Sequence, residues 1–412
     1  MLNTPAGGAG GRSAGRVRKP DEADNMLYIG LVLLILVNVC FFVGWSFLHR
    51  NDKANEARRI AQSAHVRAGM RDDPTERCKM TNEEYTVRNG AAALRPNRRS
   101  GHVQRCHGIS DPIAMKVVGN VNAQCPFLAA VYDTGGKASK DSVDIVSRSI
   151  AVTGRWEPRE SAIIEDLPAD SLFVDIGANV GWHTLLALSL GHTVIAFEPM
   201  AANVKLLKHG LCLNPGLGDN LELHEVALTD MSDCTIGSAA DNTGDGILLC
   251  GQQQAQALQD AVSAGASRGG GEVGQRHRAN TGRMDYYLHV GPQIDLLKID
   301  VEGHELSVVR SGATIFERKR GHIPPAYIIS EFSPGSMEKL GYNPVEYLEF
   351  FANRDYRIAY RDEPKSALDS WTAASGSPKA HHVIERSQFV EFARKIWDAT
   401  ITIEMTLMDP PH

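Results

Sequence analysis

Cysteine is scarce in this sequence, and the few cysteines are widely spaced. The chain has 412 residues and only seven cysteines, at positions 40, 78, 106, 125, 212, 234 and 250. A disulfide scaffold needs a denser set, and the lack of any C-x-x-C pair argues against the common structural zinc sites. One disulfide among Cys78, Cys106 and Cys125 is an open alternative to three unrelated thiols, and it would require an oxidising lumen.

Positive charge is lacking in the C-terminal three-quarters of the chain. The formal net charge is −6, but residues 111–412 alone carry 26 basic and 39 acidic side chains, or −13. Such a surface repels phosphate backbones, so no nucleic-acid partner is expected. Wholesale disorder is excluded, because 43% hydrophobic and 22% charged residues are ordinary for a folded protein. The length allows two or three folded units.

Long apolar runs are missing, with one exception. Met26–Leu48 contains 23 consecutive uncharged and mostly apolar residues, enough to span a bilayer and longer than the apolar core of a signal peptide. We therefore expect one transmembrane helix. The basic residues that flank it, four before and five after, do not decide its orientation. Residues 1–25 are expected to form a disordered tail, and the basic residues 49–110 a stem or linker.

Between residues 111 and 412, short apolar segments alternate with amphipathic helical patterns. The apolar segments are Leu172–Ile176, Thr193–Phe197, Leu221–Leu228, Ile294–Ile299 and Tyr327–Phe332. This alternation predicts an α/β fold with a mostly parallel, doubly wound sheet. Ile401–Met408 is expected to close the sheet as an antiparallel edge strand paired with Tyr356–Tyr360. Residues 231–291 are expected to be an insertion that contains a flexible Gly-rich loop, Ser263–Gly274.

The most informative local pattern is Leu172–Gly181, L-F-V-D-I-G-A-N-V-G. An apolar strand runs into Asp175 and a turn with Gly177 and Gly181, after which a helical pattern begins. Such glycines permit the close approach of a ligand, and the helix N-terminus offers free N–H groups. Glu198 ends the next strand, 17 residues after the turn, where it can accept hydrogen bonds from ribose hydroxyls.

The same turn lacks the G-x-G-x-x-G spacing of a pyrophosphate-binding loop. Asp175 would also repel a phosphate, whereas it suits a cationic or amine-bearing ligand. These two features disfavour NAD and favour S-adenosylmethionine as the cofactor.

A second polar cluster follows the strand Ile294–Ile299. If the chain stays extended to residue 302, Lys298, Asp300 and Glu302 project from one face, at the strand ends where open α/β sheets bind ligands. They either hold a polar substrate or form an ion-pair network at a helix start. Glu331 ends the next strand and points into the same crevice. Mg²⁺ bound by Asp300, Glu302 and Glu331 is disfavoured because the sequence does not fix their mutual distances, so no metal is expected.

Five strings occur in the order FVDIGANVGWHTLLAL, VIAFEPMAANVKLLKHGLCLN, VALTD, LLKIDVEGHELSVVRSGA and YIISEF. They resemble an FkbM-type methyltransferase domain over roughly Asp141–Tyr360. The resemblance implies a Rossmann-like class I methyltransferase fold and S-adenosylmethionine-dependent O-methyl transfer, and the long insertion departs from it. The cofactor-binding residues it implies are Asp175, Gly177, Asn179, Gly181, Glu198 and Asp230. The resemblance also places Asp300, Glu302 and His304 at the transfer site. With Lys298, which would orient the carboxylate of Asp300, they are the candidate catalytic residues, and either His304 or Asp300 is the base.

Together these features predict a membrane-anchored methyltransferase whose acceptor is a hydroxyl of a sugar, glycan or small molecule. Type II Golgi enzymes have the same layout, with a short tail, one span, a stem and a C-terminal enzyme. This likeness favours a luminal catalytic domain. A cytosol-facing enzyme is the alternative, and it would not need the cofactor to be imported. Two other functions stay open: a membrane-tethered scaffold that has lost turnover, and an NAD-dependent oxidoreductase. The sequence does not determine the oligomeric state.

Overall fold

The computed structural model describes residues 85–88, 91–94, 115–119, 125–133, 144–238, 244–252, 254, 276–288, 293–319, 322–361 and 381–409. All of them lie in Asp72–His412, one of two units into which the chain divides. The predicted tail, the span Met26–Leu48, most of the stem and the loop Ser263–Gly274 lie outside the described residues. Within the described ranges, no helix combines the length and the apolar character needed to cross a bilayer.

Two short antiparallel pairs come first. They join β1 (Tyr85–Arg88) to β2 (Ala91–Leu94), inside the predicted stem, and β3 (Met115–Gly119) to β4 (Leu128–Tyr132). The later strands are β5 (Leu172–Ile176), β6 (Thr193–Phe197), β7 (Leu221–His224), β8 (Ala227–Leu228), β9 (Cys234–Ser238), β10 (Gly246–Cys250), β11 (His277–Arg278), β12 (Thr281–Gly282), β13 (Leu296–Ile299), β14 (Tyr327–Phe332), β15 (Tyr356–Arg361), β16 (His381–Val383) and β17 (Ile401–Leu407).

The central sheet has eight strands in the order β7-β6-β5-β13-β14-β17-β15-β16. The five strands from β7 to β14 are parallel, and β17 is antiparallel to both of its neighbours. The predicted mostly parallel sheet is therefore confirmed. The chain moves outward from β5 to β7 and then returns to the other side of β5 at β13. Open α/β sheets bind ligands at the carboxyl ends of strands where the order reverses in this way.

Helices cover both faces of this sheet, as a doubly wound fold requires. Because side chains alternate along a strand, Phe173 of β5 packs into one hydrophobic core and Val174 into the other. The helices are α1 (Ile145–Thr153), α2 (Pro158–Glu165), α3 (Trp182–Ser189), α4 (Ala201–Leu213), α5 (Met284–Tyr287), α6 (Glu305–Ser311), α7 (Pro334–Lys339), α8 (Pro344–Ala352) and α9 (Phe389–Lys395).

The C-terminal strand β17 corrects one prediction. It pairs with β15 as expected, with Tyr356 opposite Leu407 and Tyr360 opposite Ile403. It is not an edge strand, however, because it lies between β14 and β15. Ile403 and Glu404 point to opposite faces and are both buried. A strand covered on both faces in this way suits an interior position in the sheet.

The predicted insertion contains a second, smaller sheet. Leu221–Leu228 is not one strand, as predicted, but two: β7 ends at His224, and β8 leaves the central sheet to pair with β12. Strand β9 lies between β10 and β11, and a disulfide joins Cys234 to Cys250 across β9 and β10. Cys125 and Cys212 are disulfide-bonded as well. The interpretation of unrelated thiols is therefore wrong for Cys125.

Candidate active site

A cavity of about 520 Å³ lies at the carboxyl ends of β5, β6, β13 and β14. This is the crevice that the reversal of strand order creates. Three predicted cofactor-binding residues line it, namely Gly177, Asn179 and Glu198, whereas Gly181 does not. The predicted catalytic residues Lys298, Asp300, Glu302 and His304 line it too. The fold therefore brings the two predicted clusters together around one space.

The glycine turn after β5 is tightly wedged between other parts of the protein. Gly177 has φ +82°, and a methyl group built on it would lie 1.8 Å from the carbonyl oxygen of Asp300. Gly181 has φ +86°, and a methyl group there would lie 2.2 Å from Cδ1 of Leu207 in α4. Both glycines were expected to permit the close approach of a ligand. The structure shows that contacts within the fold already require them.

Asp175 does not line the cavity, contrary to its predicted role in the cofactor loop. Its side chain is fully buried behind the turn. Its Oδ2 accepts a hydrogen bond of 2.7 Å from Thr184 of α3, and its Oδ1 lies 3.6 Å from Nζ of Lys298. Burial raises the pKa of Asp175, and Lys298 and Thr184 oppose that rise. Asp175 therefore joins β5, α3 and β13, and it acts on the cavity through Lys298.

Glu198 faces the cavity from the end of β6, as predicted. Its Oε2 accepts a hydrogen bond of 2.8 Å from the backbone N–H of Asn179, and its Oε1 accepts one of 2.8 Å from Met200. Burial raises the pKa of Glu198 to about 7, although these backbone hydrogen bonds lower it. Asn179 adopts a left-handed conformation, φ +52°, which aims its N–H at Glu198. The turn and the carboxylate therefore form one rigid unit.

The small sheet forms a roof over this end of the cavity. Gly244, next to β10, donates its N–H to Asp144 at 3.0 Å. Its carbonyl accepts hydrogen bonds from the side-chain amides of Asn203, at 3.0 Å, and Asn179, at 3.3 Å. Asp144, Asn203 and Gly244 are not among the predicted site residues. Their contacts join positions up to 100 residues apart, so no local pattern points to them.

Lys298 and Asp300 form an ion pair at the other end of the cavity. Nζ of Lys298 lies 3.0 Å from Oδ2 of Asp300 and donates to the carbonyl of Gly177 at 3.1 Å. Burial lowers the pKa of Lys298, but Asp300 and Asp175 more than offset this and hold it above its ordinary value. Lys298 is therefore charged, and it links the turn after β5 to the end of β13.

The chain does not stay extended to residue 302. Strand β13 ends at Ile299, and Glu302 adopts a left-handed conformation with φ +55°. A turn, rather than the alternation of a strand, brings Asp300 and Glu302 together with Glu331 at the end of β14. One oxygen atom from each of the three lies within 4.8 Å of the others. The set could hold a cation, although acidic groups also cluster without one. Burial raises the pKa of Glu302, and Asp245 and Asp300 raise it further. Burial also raises the pKa of Glu331, and Glu302 and Asp300 add to that rise.

His304 lines the cavity but has both ring nitrogens engaged. Nε2 lies 2.7 Å from the carbonyl oxygen of Leu248 in β10, and Nδ1 lies 3.2 Å from the hydroxyl of Tyr342. Burial lowers the pKa of His304 to about 4, although the contact with Leu248 raises it. This geometry suits a residue that anchors the roof strand, and it weighs against the predicted role as a base.

Asp230 lies outside the cavity wall, contrary to its predicted role in cofactor binding. It is exposed, and its Oδ1 accepts a hydrogen bond of 2.6 Å from Ser307 of α6. The preceding residues Val226, Ala227 and Leu228 line the cavity instead. The string VALTD therefore contributes its apolar residues, not its acid, to the site.

Glu157 and His183 line the cavity but are not among the predicted site residues. Glu157 precedes α2 with φ +40°, and its Oε2 lies 3.7 Å from Nε2 of His183 in α3. Strained backbone of this kind is concentrated at functional sites. Burial raises the pKa of Glu157, and Glu160 and Asp300 raise it further. The W-E pair at positions 156–157 was visible in the sequence, but nothing local placed it beside the second cluster.

Comparison with known protein families and structures gives one match that bears on the site. Residues 175–358 match the family described as Methyltransferase FkbM domain. The matched stretch runs from the end of β5 to the middle of β15 and contains every predicted site residue. A comparison with curated protein sequences finds no significant match.

Solved structures that are similar to this chain include three methyltransferases. FkbM from Methylobacillus flagellatus KT is 15% identical, with a TM-score of 0.30 over 53% of this chain and 44% of that one. Precorrin-6y C5,15-methyltransferase from Geobacter metallireducens GS-15 is 12% identical, with a TM-score of 0.27 over 61% and 89%. An rRNA methylase from Streptococcus thermophilus is 11% identical, with a TM-score of 0.31 over 61% and 94%. These TM-scores are too low to support a conclusion. Residues 175–358, somewhat less than half of the chain, are therefore similar to the Methyltransferase FkbM domain.

Proposed function

We propose that the protein is an S-adenosylmethionine-dependent O-methyltransferase whose acceptor is a hydroxyl of a sugar, glycan or small molecule. The observation that carries the proposal is the position of Glu198. Its carboxylate faces a cavity at the reversal point of the sheet, within the stretch that matches the FkbM domain. The proposal excludes nucleic acid as an acceptor, because the domain is acidic.

The residues around Glu198 fit an adenosyl group. Phe197, Val226, Leu228 and Ile236 form an apolar wall that can pack against adenine, and Glu198 can accept hydrogen bonds from the ribose hydroxyls. S-adenosylmethionine, when bound, supplies a methyl group on a positively charged sulfur, which an oxygen atom of the acceptor attacks directly. Positioning contributes most of the catalysis in such a transfer.

The other end of the cavity can orient the acceptor and remove its proton. Lys298 donates to Asp300 and fixes the direction of that carboxylate. Asp300 is the base that remains from the sequence analysis, because both nitrogens of His304 are engaged. Glu302 and Glu331 lie next to it and can accept hydrogen bonds from other hydroxyls of the acceptor.

We place this domain in the lumen of the secretory pathway, held to the membrane by Met26–Leu48. The Cys234–Cys250 disulfide, and the disulfide bonding of Cys125 and Cys212, support an oxidising compartment. The layout of a short tail, one span and a C-terminal domain supports the Golgi. The placement is tested by asking whether a protease added to sealed vesicles spares the domain, as it does for luminal proteins.

Calorimetric titration of the full-length protein tests the function. We expect S-adenosylmethionine to bind and NAD not to bind. Glu198→Gln should weaken S-adenosylmethionine at least about tenfold, because a charged acceptor of hydrogen bonds is lost. Glu222→Gln is the matched control, since Glu222 is exposed on β7, and it should bind normally. Binding of NAD alone would support an oxidoreductase, and binding of neither by folded protein would support a scaffold.

A further inference from the structure

The wall of the cavity has far more acidic than basic side chains. Lys298 is the only lysine or arginine that lines it among the described residues, against six carboxylates. One of the six is Glu198 at the adenosyl end. The other five form what we call the acidic end: Glu157, Asp245, Asp300, Glu302 and Glu331. Such an excess in a partly buried space attracts a cation and repels an anion.

The single lysine does not balance this charge. Its Nζ is already bound by Oδ2 of Asp300 at 3.0 Å and by the carbonyl of Gly177 at 3.1 Å, and Oδ1 of Asp175 is 3.6 Å away. The charge of Lys298 is therefore already balanced by Asp175 and Asp300. Glu157, Glu302 and Glu331 face the cavity without a lysine or arginine partner among the described ion pairs.

A buried polar atom in the same wall also lacks a partner. The side chain of His183 is 4% exposed, and its Nε2 has no hydrogen-bond partner within the described part of the chain. Oε2 of Glu157, 3.7 Å away, is too far for one. Oε2 of Glu331 is buried without a hydrogen bond as well. Buried polar atoms are normally hydrogen-bonded, so these atoms indicate a ligand that donates hydrogen bonds.

The protonation of these groups fits a cationic ligand. Burial lowers the pKa of His183, and Lys298 lowers it further, so its ring is neutral at pH 7. Burial raises the pKa of Glu157; Glu160, Asp300 and Asp175 add to the rise, and Lys298 opposes it. Without a ligand, such carboxyl groups retain protons to a higher pH than usual. A cation beside them would favour their ionised form.

Three kinds of acceptor differ in how well they match this wall. A carboxylate or phosphate is repelled. A neutral hydroxyl donates one hydrogen bond and brings no charge. An ammonium group brings a positive charge and three donors, which suits the carboxylates and the unpaired nitrogen of His183 together.

We propose that the acceptor carries an ammonium group beside its reacting hydroxyl, as in an amino sugar, and that Glu157, Glu331 and His183 bind this ammonium. The inference rests on the proposed methyltransferase function and names the substrate class of that site.

Ligand-observed NMR with three matched sugars tests the inference. The full-length protein, in a detergent without a sugar headgroup, is saturated with S-adenosylhomocysteine and titrated with D-glucosamine, D-glucose and D-glucuronate. We expect D-glucosamine to bind at least about tenfold more tightly than D-glucose, and D-glucuronate not to bind. The affinity for D-glucosamine should rise with pH as the carboxyl groups ionise, over the range in which its amine stays protonated, while that for D-glucose stays constant.

Two variants localise the effect. Glu331→Gln should remove the preference for D-glucosamine over D-glucose while S-adenosylhomocysteine still binds. Glu338→Gln, which changes an exposed acid on α7, should keep the preference. Equal affinities for the two sugars, tighter D-glucuronate, no sugar binding to protein that holds S-adenosylhomocysteine, or displacement of D-glucosamine by Mn²⁺ at a metal site would each overturn the inference. Failure of S-adenosylhomocysteine itself to bind would instead refute the proposed function.

Discussion

Replacing Gly177 with alanine tests how tightly the turn after β5 is held against β13. The backbone of Gly177 has φ +82°, and an added methyl group would lie 1.8 Å from the carbonyl oxygen of Asp300. The left-handed conformation costs about 1–2 kcal/mol for a residue with a side chain. Relieving the overlap requires a backbone shift, which costs about 1–3 kcal/mol more. We therefore expect Gly177→Ala to lower the free energy of unfolding by about 2–5 kcal/mol.

Gly216→Ala is the matched control for this substitution. Gly216 has φ +87°, but a methyl group there would have nothing within 4 Å, so only the conformational cost of about 1–2 kcal/mol applies. Urea titration of the full-length protein, followed by tryptophan fluorescence, measures both variants. Trp182 is buried against Phe127 and reports on the core next to the turn. If both variants lost the same free energy of unfolding, the overlap with Asp300 would relax without cost. That result would refute the conclusion that the turn is tightly packed against β13.

Three further predictions concern buried groups of the site. Asp175→Asn should lower the free energy of unfolding by about 3 kcal/mol in urea titration, because it breaks a buried ion pair. It should change the affinity for S-adenosylmethionine less than about threefold, because Asp175 does not line the cavity. A large loss of affinity at unchanged stability would contradict the buried position of Asp175. Replacing Cys234 and Cys250 with serine should cost about 3 kcal/mol in non-reducing thermal unfolding, and an unchanged midpoint would show that the disulfide does not hold the roof. The folded pKa of Glu198 is raised to about 7 from 4.5, so its contribution to stability is intact below pH 4.5 and is lost as the pH rises through 7. Glu198→Gln should therefore make unfolding free energy fall less between pH 5 and 7.5, and an identical decline in both proteins would exclude this pKa.

Local features of the sequence predicted most of the framework. Three of the five predicted apolar segments are strands with the same bounds, because a buried parallel strand is a short uninterrupted apolar run. Glu198 was placed correctly because it follows such a run at a recognisable distance from the glycine turn. The prediction of β17 as an edge strand failed because pairing partners, unlike strand periodicity, are not a local property.

The prediction of the site was less reliable wherever it depended on the orientation of a side chain. Asp175, Asp230 and His304 all lie in motifs beside the cavity. Asp175, however, is buried behind the turn, and Asp230 is exposed outside the cavity. His304 is bound to the carbonyl of Leu248 in the small sheet that covers the cavity. Residue type and spacing place a side chain near the end of a strand, but its orientation depends on what packs against it. Gly244 meets Asp144 across 100 residues of sequence, which no local pattern encodes.

The sequence by itself determined the alternation of strands and helices, the glycine turn and the acidic residues that end β6, β13 and β14. Those features follow from side-chain volume, backbone freedom and hydrophobic periodicity, which are local. Only the tertiary structure decided which carboxylates face a common cavity, because that depends on the order of strands in the sheet. It also brought Glu157 and His183 to the acidic end, by packing α2 and α3 against the ends of strands far away in sequence.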